Sequence, residues 1–310
     1  MSDPQDLDLD DIPDFNPKRV KRAVRRGLVK TAAIVLAALV VAAGVLVGVP
    51  MLIQQSGDRQ ERMMDVLGTA FQLYNPSYQI TELWCCDVTP WSLSIEVGAR
   101  PLQAIGGFEV NPAARYTITQ DLFGRVGRLP LGNSGATTLT RALMMVGRDP
   151  VNKKRDQELL AGLPQNLRTL AVVEFTKPMT ADELAAFGKG VNACPDRLVM
   201  ESRPGSVPIT WGYGMWSKGM VKQKSRYCYD SPPTTVAAFR AWRGILRDED
   251  GSDLRHFDLT LARIEAAAQK GLMYAYVDET ATVAELRKAA ADPRVKTVRV
   301  ADATFDVVRF

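Results

Sequence analysis

The 310-residue sequence predicts an α+β protein with one N-terminal transmembrane helix followed by extracytoplasmic α+β domains. Three observations support this fold class. An uncharged apolar run fills residues 32–53, strand and helix patterns alternate after it, and two β-α-β patterns occur in the C-terminal half. We therefore divide the chain into residues 1–30, 31–53, 54–165 and 166–310.

The apolar run predicts a helix that crosses the membrane. It holds 22 residues of Ala, Val, Leu, Ile, Gly, Pro and Met. At about 1.5 Å per residue it spans a hydrocarbon core of roughly 30 Å. A cleaved signal peptide also has a basic segment and an apolar core, but this run is longer than such a core and residues 48–51 contain no small-x-small cleavage motif. We expect a retained anchor in the cell membrane.

Charges on either side of the run predict its orientation. Every charge in residues 16–30 is positive, whereas residues 58–62 carry mixed charges. Basic residues favour the cytoplasmic side, so the N-terminus is expected inside and the C-terminal part outside. We assign the basic cluster to anionic lipid headgroups and expect no direct contact with nucleic acid. Its anchor residues are Lys18, Arg19, Lys21, Arg22, Arg25 and Arg26.

Within the run, Gly44 and Gly48 have the small-xxx-small spacing that lets two membrane helices approach closely. Self-association, or contact with a second membrane protein, is therefore an expected property of the anchor.

The first fifteen residues alternate acidic and apolar side chains. Such a short segment is suited to folding onto a basic, grooved protein surface, and the alternative is a solvated acidic tail. The candidate partner-binding residues are Asp6, Leu7, Asp8, Leu9, Asp10, Asp11, Ile12, Asp14 and Phe15.

Residues 54–165 predict a helix and then a strand-rich region. The helix covers residues 54–73 and ends at Asn75 and Pro76. The sequence then predicts strands at residues 78–83, 92–97 and 116–120, a loop at 124–135, a helix at 136–146 and a short helix around Gln157.

Residues 166–310 predict two β-α-β units. Each unit begins with a strand, and a Thr-x-x-Glu capping box then starts its helix, at Thr180 and at Thr282. Two such units often interleave as one antiparallel sheet covered on one face by helices, the ferredoxin-like arrangement. The remaining predicted elements are strands at residues 167–175, 197–201, 208–216, 272–277 and 295–301 and helices at residues 235–246 and 254–268.

The sequence carries few candidates for catalysis. It has no GxSxG, Walker A, HExxH or GxGxxG motif, and its one histidine, His256, is expected to be solvated or capping. The acidic residues 248–253 lack EF-hand spacing, so Ser252 or Asp253 is expected to cap the next helix. Trp211 to Trp216 form an aromatic run that is expected to pack in the core, with a ligand groove as the alternative. We expect no enzymatic activity, no cofactor and no metal.

All four cysteines follow the apolar run, where the surroundings are commonly oxidising. Cys85 and Cys86 are adjacent and are expected to pair elsewhere or to stay buried. The predicted disulfide joins Cys194 and Cys228, and a four-cysteine zinc site is the alternative.

Three segments of the C-terminal half resemble the C-terminal domain of the sigma factor regulator family. They read AVVEFTKPMTADELAAF from residue 171, ITWGYGM from residue 209 and GLMYAYVDETATVAELRKAAADPRVKTVRVA from residue 271. The basic segment FNPKRVKRAVRRGLVK from residue 15, which leads into the apolar run, is similar to that family's N-terminal part. The resemblance implies a membrane-anchored anti-sigma factor that holds an extracytoplasmic-function sigma factor inactive, and it offers no catalytic residue to carry over.

Two functions are therefore expected. The first is a membrane-bound regulator in signal transduction and transcription, which senses the envelope outside and binds a sigma factor with its cytoplasmic tail. The second is an envelope scaffold or assembly protein whose outer domains bind ligands or proteins, with a tail that only sets topology.

Overall fold

A computed structural model of the chain describes residues 17–55, 58–104, 113–131, 137–149, 153–212, 215 and 231–305. The fold mixes helices and strands and divides into two compact units, Met1–Ile53 and Gln54–Phe310. The sequence predicted a domain boundary near residue 165, but the residues on both sides of that position lie in the second unit. The main hydrophobic cluster of the second unit contains residues from Met63 to Val298. The two sheets described below therefore share one core.

The helices and strands of the described residues are named here in chain order. The helices are α1 (Pro17–Gln55), α2 (Arg59–Arg62), α3 (Thr69–Tyr74), α4 (Thr138–Met144), α5 (Lys153–Gly162), α6 (Ala181–Val191), α7 (Pro232–Ile245), α8 (Gly251–His256), α9 (Leu261–Lys270) and α10 (Val283–Ala290). The strands are β1 (Tyr78–Val88), β2 (Ser92–Pro101), β3 (Ala114–Asp121), β4 (Arg168–Thr180), β5 (Arg197–Val199), β6 (Thr210–Gly212), β7 (Leu272–Asp278) and β8 (Val295–Thr304).

Helix α1 contains the whole apolar run of residues 32–53 and begins before it, in the basic segment. The most apolar part of the helix has none of its residues buried within the described chain. The helix is long and apolar enough to cross a membrane, as its composition predicts.

A helical stretch opens the second unit and packs on a three-stranded sheet. It starts with α2, passes through a π-helical segment at Met63–Gly68 and ends with α3. Strands β1, β2 and β3 pair antiparallel in that order. The side chains buried in the main cluster are Met63, Val66, Leu67, Ala70 and Phe71 from the helical stretch and Leu93, Ile95, Val97 and Ile118 from the sheet. The three predicted strands are confirmed, and the predicted helix at residues 54–73 is confirmed over residues 59–73.

The C-terminal part forms a five-stranded sheet in the order β6-β5-β7-β4-β8, with every neighbouring pair antiparallel. Strand β7 lies between β4 and β5, and strand β4 lies between β7 and β8. The unit β4-α6-β5 and the unit β7-α10-β8 are thus interleaved, which is the strand order of two β-α-β units combined in one sheet.

The two faces of this sheet are covered by different parts of the chain. On one face, Ala171 and Val173 of β4 join the main cluster together with Leu184 of α6 and Leu286 of α10. On the other face, residues of β4, β5 and β7 form a second cluster with α4, which comes from the region before residue 165. The sequence anticipated helices on one face only.

A buried carboxylate lies on the α4-covered face. Glu174 of β4 is 3% exposed and accepts hydrogen bonds from Arg299 Nη1 at 2.7 Å and from the backbone amide of Gly147 at 3.0 Å. Lys296 Nζ lies 3.2 Å from Oε1, the oxygen that accepts from Gly147. Two cations and one amide therefore compensate this charge inside the protein.

Both predicted capping boxes are present. Thr180 accepts a hydrogen bond from the Glu183 amide, and the Glu183 carboxylate accepts one in return from the Thr180 amide at 2.8 Å. Thr282 and Glu285 form the same reciprocal pair at the start of α10. These bonds satisfy amides at the start of each helix that have no intrahelical partner.

The predicted helix at residues 254–268 is wrong, because two helices occupy that segment. Asp258 has a positive φ of 53°, which ends the first helix, and the Thr260 hydroxyl then caps α9 by accepting from the Arg263 amide at 3.2 Å.

The prediction that Ser252 or Asp253 caps the first helix is also wrong. A 3₁₀ turn at Asp248–Asp250 leads into α8, and the Asp253 carboxylate instead accepts a hydrogen bond from Gln120 Nε2 at 2.8 Å.

The expectation that Cys85 and Cys86 pair elsewhere is wrong as well, because they form a disulfide with one another on β1. Strand β1 is an edge strand, and its register with β2 shifts between Cys85 and Asp87. An irregular edge tolerates a local departure from the regular ladder that a central strand would not.

Candidate functional site

A cavity of about 500 Å³ lies in the second unit where four segments meet. These segments are the end of α3 with the residues that follow it, helix α4, the loop at residues 205–209 and the chain from Phe257 to Arg263. Tyr74 and Phe257 stand edge to face with ring centroids 6.2 Å apart and give the cavity an aromatic wall. The apolar lining residues are Leu73, Tyr74, Met144, Val207, Pro208, Ile209, Phe257 and Leu259.

Polar groups in this cavity are held in place by their neighbours. Thr140 Oγ1 donates to Ser77 Oγ at 2.8 Å, and Asn75 Nδ2 donates to the Phe71 carbonyl at 2.9 Å. Asn75 also ends the helical stretch, as the sequence predicted. The hydroxyl and amide groups are thus fixed next to the apolar wall.

One wall is held by an ion-pair network. Arg263 pairs with Glu201 and also donates to the Asp258 carbonyl. Glu201 accepts from the Ile209 amide at 2.8 Å, and Arg203 pairs with Asp258. Because these bonds link the loop to the start of α9, the cavity keeps its shape. A pocket with an apolar wall and a few fixed polar groups is suited to a small amphipathic ligand or a peptide segment.

A second candidate is a pair of buried carboxylates at the ends of two neighbouring strands. Asp278 ends β7 and is 1% exposed, and its Oδ1 accepts from the amides of Thr280 and Ala281 at 3.1 Å and 2.7 Å. Among the described residues, neither its buried Oδ2 nor the buried hydroxyl of Tyr276 has a hydrogen-bond partner. Burial raises the pKa of Asp278 from 3.8 to about 7, although the amide donors favour the charged form.

Asp196 lies beside it, just before β5. Its Oδ2 accepts from the Glu279 amide at 2.8 Å, and its own amide donates to the Val277 carbonyl. Burial, and then the negative charges of Glu279 and Asp278, raise the pKa of Asp196 to about 8. Asp196 is therefore mostly protonated at neutral pH, whereas Asp278 changes its charge near neutral pH.

The sequence analysis did not identify this pair. Each aspartate stands next to a short apolar strand, where an acidic residue is equally typical of a turn. The available signal was the spacing of Tyr276 and Asp278, since residues two apart on a strand share a face and Tyr276 belongs to the core.

A third candidate is a charged groove of about 310 Å³ between α2 and the acidic residues 248–253. Arg62 Nη2 contacts both carboxylate oxygens of Asp250 at 2.6 Å, and Arg247 Nη2 contacts Asp58 Oδ2 at 2.5 Å. The acidic cluster is therefore used for ion pairs with the segment that follows α1. Among the described residues, no group of three histidine, cysteine or carboxylate side chains is placed to hold a metal ion.

The residues singled out from the sequence lie in four different places. The acidic and apolar residues 6–15 fall outside the described residues, and the six anchor cations lie at the start of α1 with exposed side chains. Cys194 is disulfide-bonded, and Cys228, its predicted partner, lies outside the described residues. His256 is exposed at the end of α8, whereas Trp211 is 1% exposed and packs against Phe239 and Trp242 in the core.

In comparisons with protein-family models, with curated proteins and with solved structures, nothing matches this chain.

Proposed function

We propose that this chain is a single-pass membrane regulator of an extracytoplasmic-function sigma factor. Residues 1–30 lie in the cytoplasm, α1 crosses the membrane, and residues 54–310 fold outside as a sensor with a ferredoxin-like sheet. The observation that carries the proposal is the uncovered apolar surface of α1.

Sixteen large apolar side chains between Val20 and Ile53 are exposed, each by 43% or more. A water-soluble helix of this composition would cover at least one face against the rest of the protein. The backbone of an α-helix is fully hydrogen-bonded within itself, so lipid covers such a surface without leaving polar groups unsatisfied. Seven Lys and Arg residues before residue 32 support a cytoplasmic N-terminus.

The proposed sigma-factor contact is residues 6–15. Acidic and apolar side chains alternate there, and a DNA-binding protein presents the complementary basic surface. The resemblance of residues 171–187, 209–215 and 271–301 to the sigma factor regulator family supplies this class of partner. The segment is too short for a zinc-binding helical anti-sigma domain, so we propose that it folds upon binding.

The outer unit supplies two places where a signal can act. The 500 Å³ cavity accepts a small amphipathic ligand or a peptide segment, and the Asp196 and Asp278 carboxylates respond to pH. This regulator catalyses nothing in our proposal. Its output is the release or retention of the bound sigma factor.

The test is co-purification of sigma factors with the full-length chain from detergent-solubilised membranes. One variant changes Asp3, Asp6, Asp8, Asp10, Asp11 and Asp14 to asparagine. A matched control keeps the composition of residues 1–15 but scrambles their order, which retains the negative charge and removes the alternation.

We expect the unmodified chain to retain one sigma factor and both variants to lose it. If the scrambled variant retains the sigma factor and the asparagine variant loses it, the negative charge of residues 1–15 is sufficient and the alternation is irrelevant. No retention by any form would refute the proposed partner and favour an envelope scaffold, which keeps its activity when residues 1–15 are deleted.

A further inference from the structure

The second unit has an exposed apolar projection, which we call the aromatic tip and define as Trp91, Leu122 and Phe123. Trp91 is 57% exposed in the turn between β1 and β2, and Phe123 is 80% exposed in the turn that follows β3. The two turns adjoin, because the Leu122 amide donates to the Trp91 carbonyl at 2.9 Å.

The turn that carries Phe123 is rigid. Asp121 Oδ1 accepts from the amides of Phe123 and Arg125 at 2.9 Å and 2.8 Å, and the Asp121 amide donates to the Arg125 carbonyl. Gly124 adopts a positive φ of 82° that completes the turn. A well-ordered turn that holds a large apolar ring in solvent is typical of a surface that meets a partner.

The tip is tied to the residues that directly follow the membrane helix. Arg59 Nη1 donates to the Leu122 carbonyl at 3.1 Å, and its Nη2 donates to the Asp121 carbonyl and to Gln120 Oε1. Arg59 is six residues beyond Ile53, the last residue of the apolar run. Since an extended chain covers at most about 3.5 Å per residue, Arg59 lies within roughly 20 Å of the membrane boundary.

The chemistry of the tip matches a lipid interface. Tryptophan and phenylalanine rings favour the boundary between headgroups and acyl chains. The Arg125 guanidinium lies 5.9 Å from the Phe123 ring centre, so a cation accompanies the inserted ring and can meet a lipid phosphate. Two nearby carboxylates already accept hydrogen bonds, since Asp121 binds its own turn and Asp253 binds Gln120.

We infer that the aromatic tip inserts into the outer headgroup region of the membrane that holds α1, and so gives the outer unit a second membrane contact. This inference rests on the proposed membrane anchor. It assigns Trp91 and Phe123 to lipid rather than to a protein partner.

The full-length chain in phosphatidylcholine and phosphatidylglycerol vesicles tests this inference through tryptophan quenching. The quencher is a phosphatidylcholine that carries a nitroxide near the headgroup end of its acyl chain. The test variant is Trp91→Phe and the matched control is Trp84→Phe. Trp84 is 40% exposed on β1 and lies under the Arg115 guanidinium, away from the tip.

We expect Trp91→Phe to remove most of the nitroxide-dependent quenching and Trp84→Phe to leave it unchanged. Equal quenching in both variants, in chains that remain in the vesicles after alkaline washing, would overturn the tip contact and leave the anchor intact. Loss of the chain from washed vesicles would instead overturn the anchor and this inference together. A Trp91 that is shielded from aqueous iodide but not quenched by the lipid would mean that protein covers the tip, which also refutes the inference.

Discussion

Replacing Glu174 with alanine is expected to destabilise the second unit strongly. The carboxylate is 3% exposed, and its removal takes the partner from Arg299, which is 10% exposed. Within the described residues, Arg299 Nη2 is already buried without a hydrogen-bond partner. Breaking a buried ion pair on one side costs about 3–5 kcal/mol, because a desolvated charge remains. Lys296 adds to this cost, although at 21% exposed it can turn toward solvent.

The measurement is urea-induced unfolding of the full-length chain in detergent, followed by the fluorescence of the buried tryptophans. Glu158→Ala is the matched control, because Glu158 pairs with Lys154 at 3.8 Å in an exposed pair with side chains 66% and 91% accessible. Such pairs contribute little, and the control is expected to change the midpoint only slightly. A decrease below about 1 kcal/mol for Glu174→Ala would refute the assignment of an uncompensated buried charge.

Three further changes test other parts of the fold. Asp278→Asn acts on a carboxyl whose pKa is raised from 3.8 to about 7. The folded state then binds the proton more tightly than the unfolded state, so the contribution of Asp278 to stability is fully present below pH 3.8 and is lost as the pH rises to about 7. The variant should show a smaller fall in melting temperature over that range, and an unchanged profile would contradict the assignment. Thr282→Ala removes one half of a capping box and is expected to cost about 1 kcal/mol in urea unfolding, whereas Thr176→Ala, at an exposed site, should cost little. Trp242→Phe leaves the Asp65 carbonyl without its 2.8 Å donor inside the core and is expected to cost at least about 1–3 kcal/mol; a neutral result would mean that water replaces the bond.

Local signals predicted much of this fold. The capping boxes at Thr180 and Thr282 located two helices, because their hydrogen bonds join residues only three apart. Alternating apolar residues located strands β1 to β3 and the paired strands of the large sheet. The recurrence of strand, cap and helix also indicated that the two units share one sheet.

The features that the sequence did not predict depend on single residues with weak local signals or on contacts between residues far apart in the sequence. The break at Asp258 depends on one residue with positive φ, and aspartate gives only a weak signal for that conformation. The role of Asp250 depends on Arg62, which lies 188 residues away in sequence. The Asp196 and Asp278 pair arises because β5 and β7 are neighbours, and no spacing within either strand reveals that they meet.

The same long-range contacts join the helical stretch at residues 59–74 to the rest of the second unit. Asp65 in the π-helical stretch accepts from Trp242 Nε1, Arg62 binds Asp250, and Arg59 binds the turn after β3. A π-helical segment carries an extra residue per turn, and such segments often occur at functional positions. A shift of α7 or of residues 248–253 must therefore either break these bonds or move the helical stretch with them.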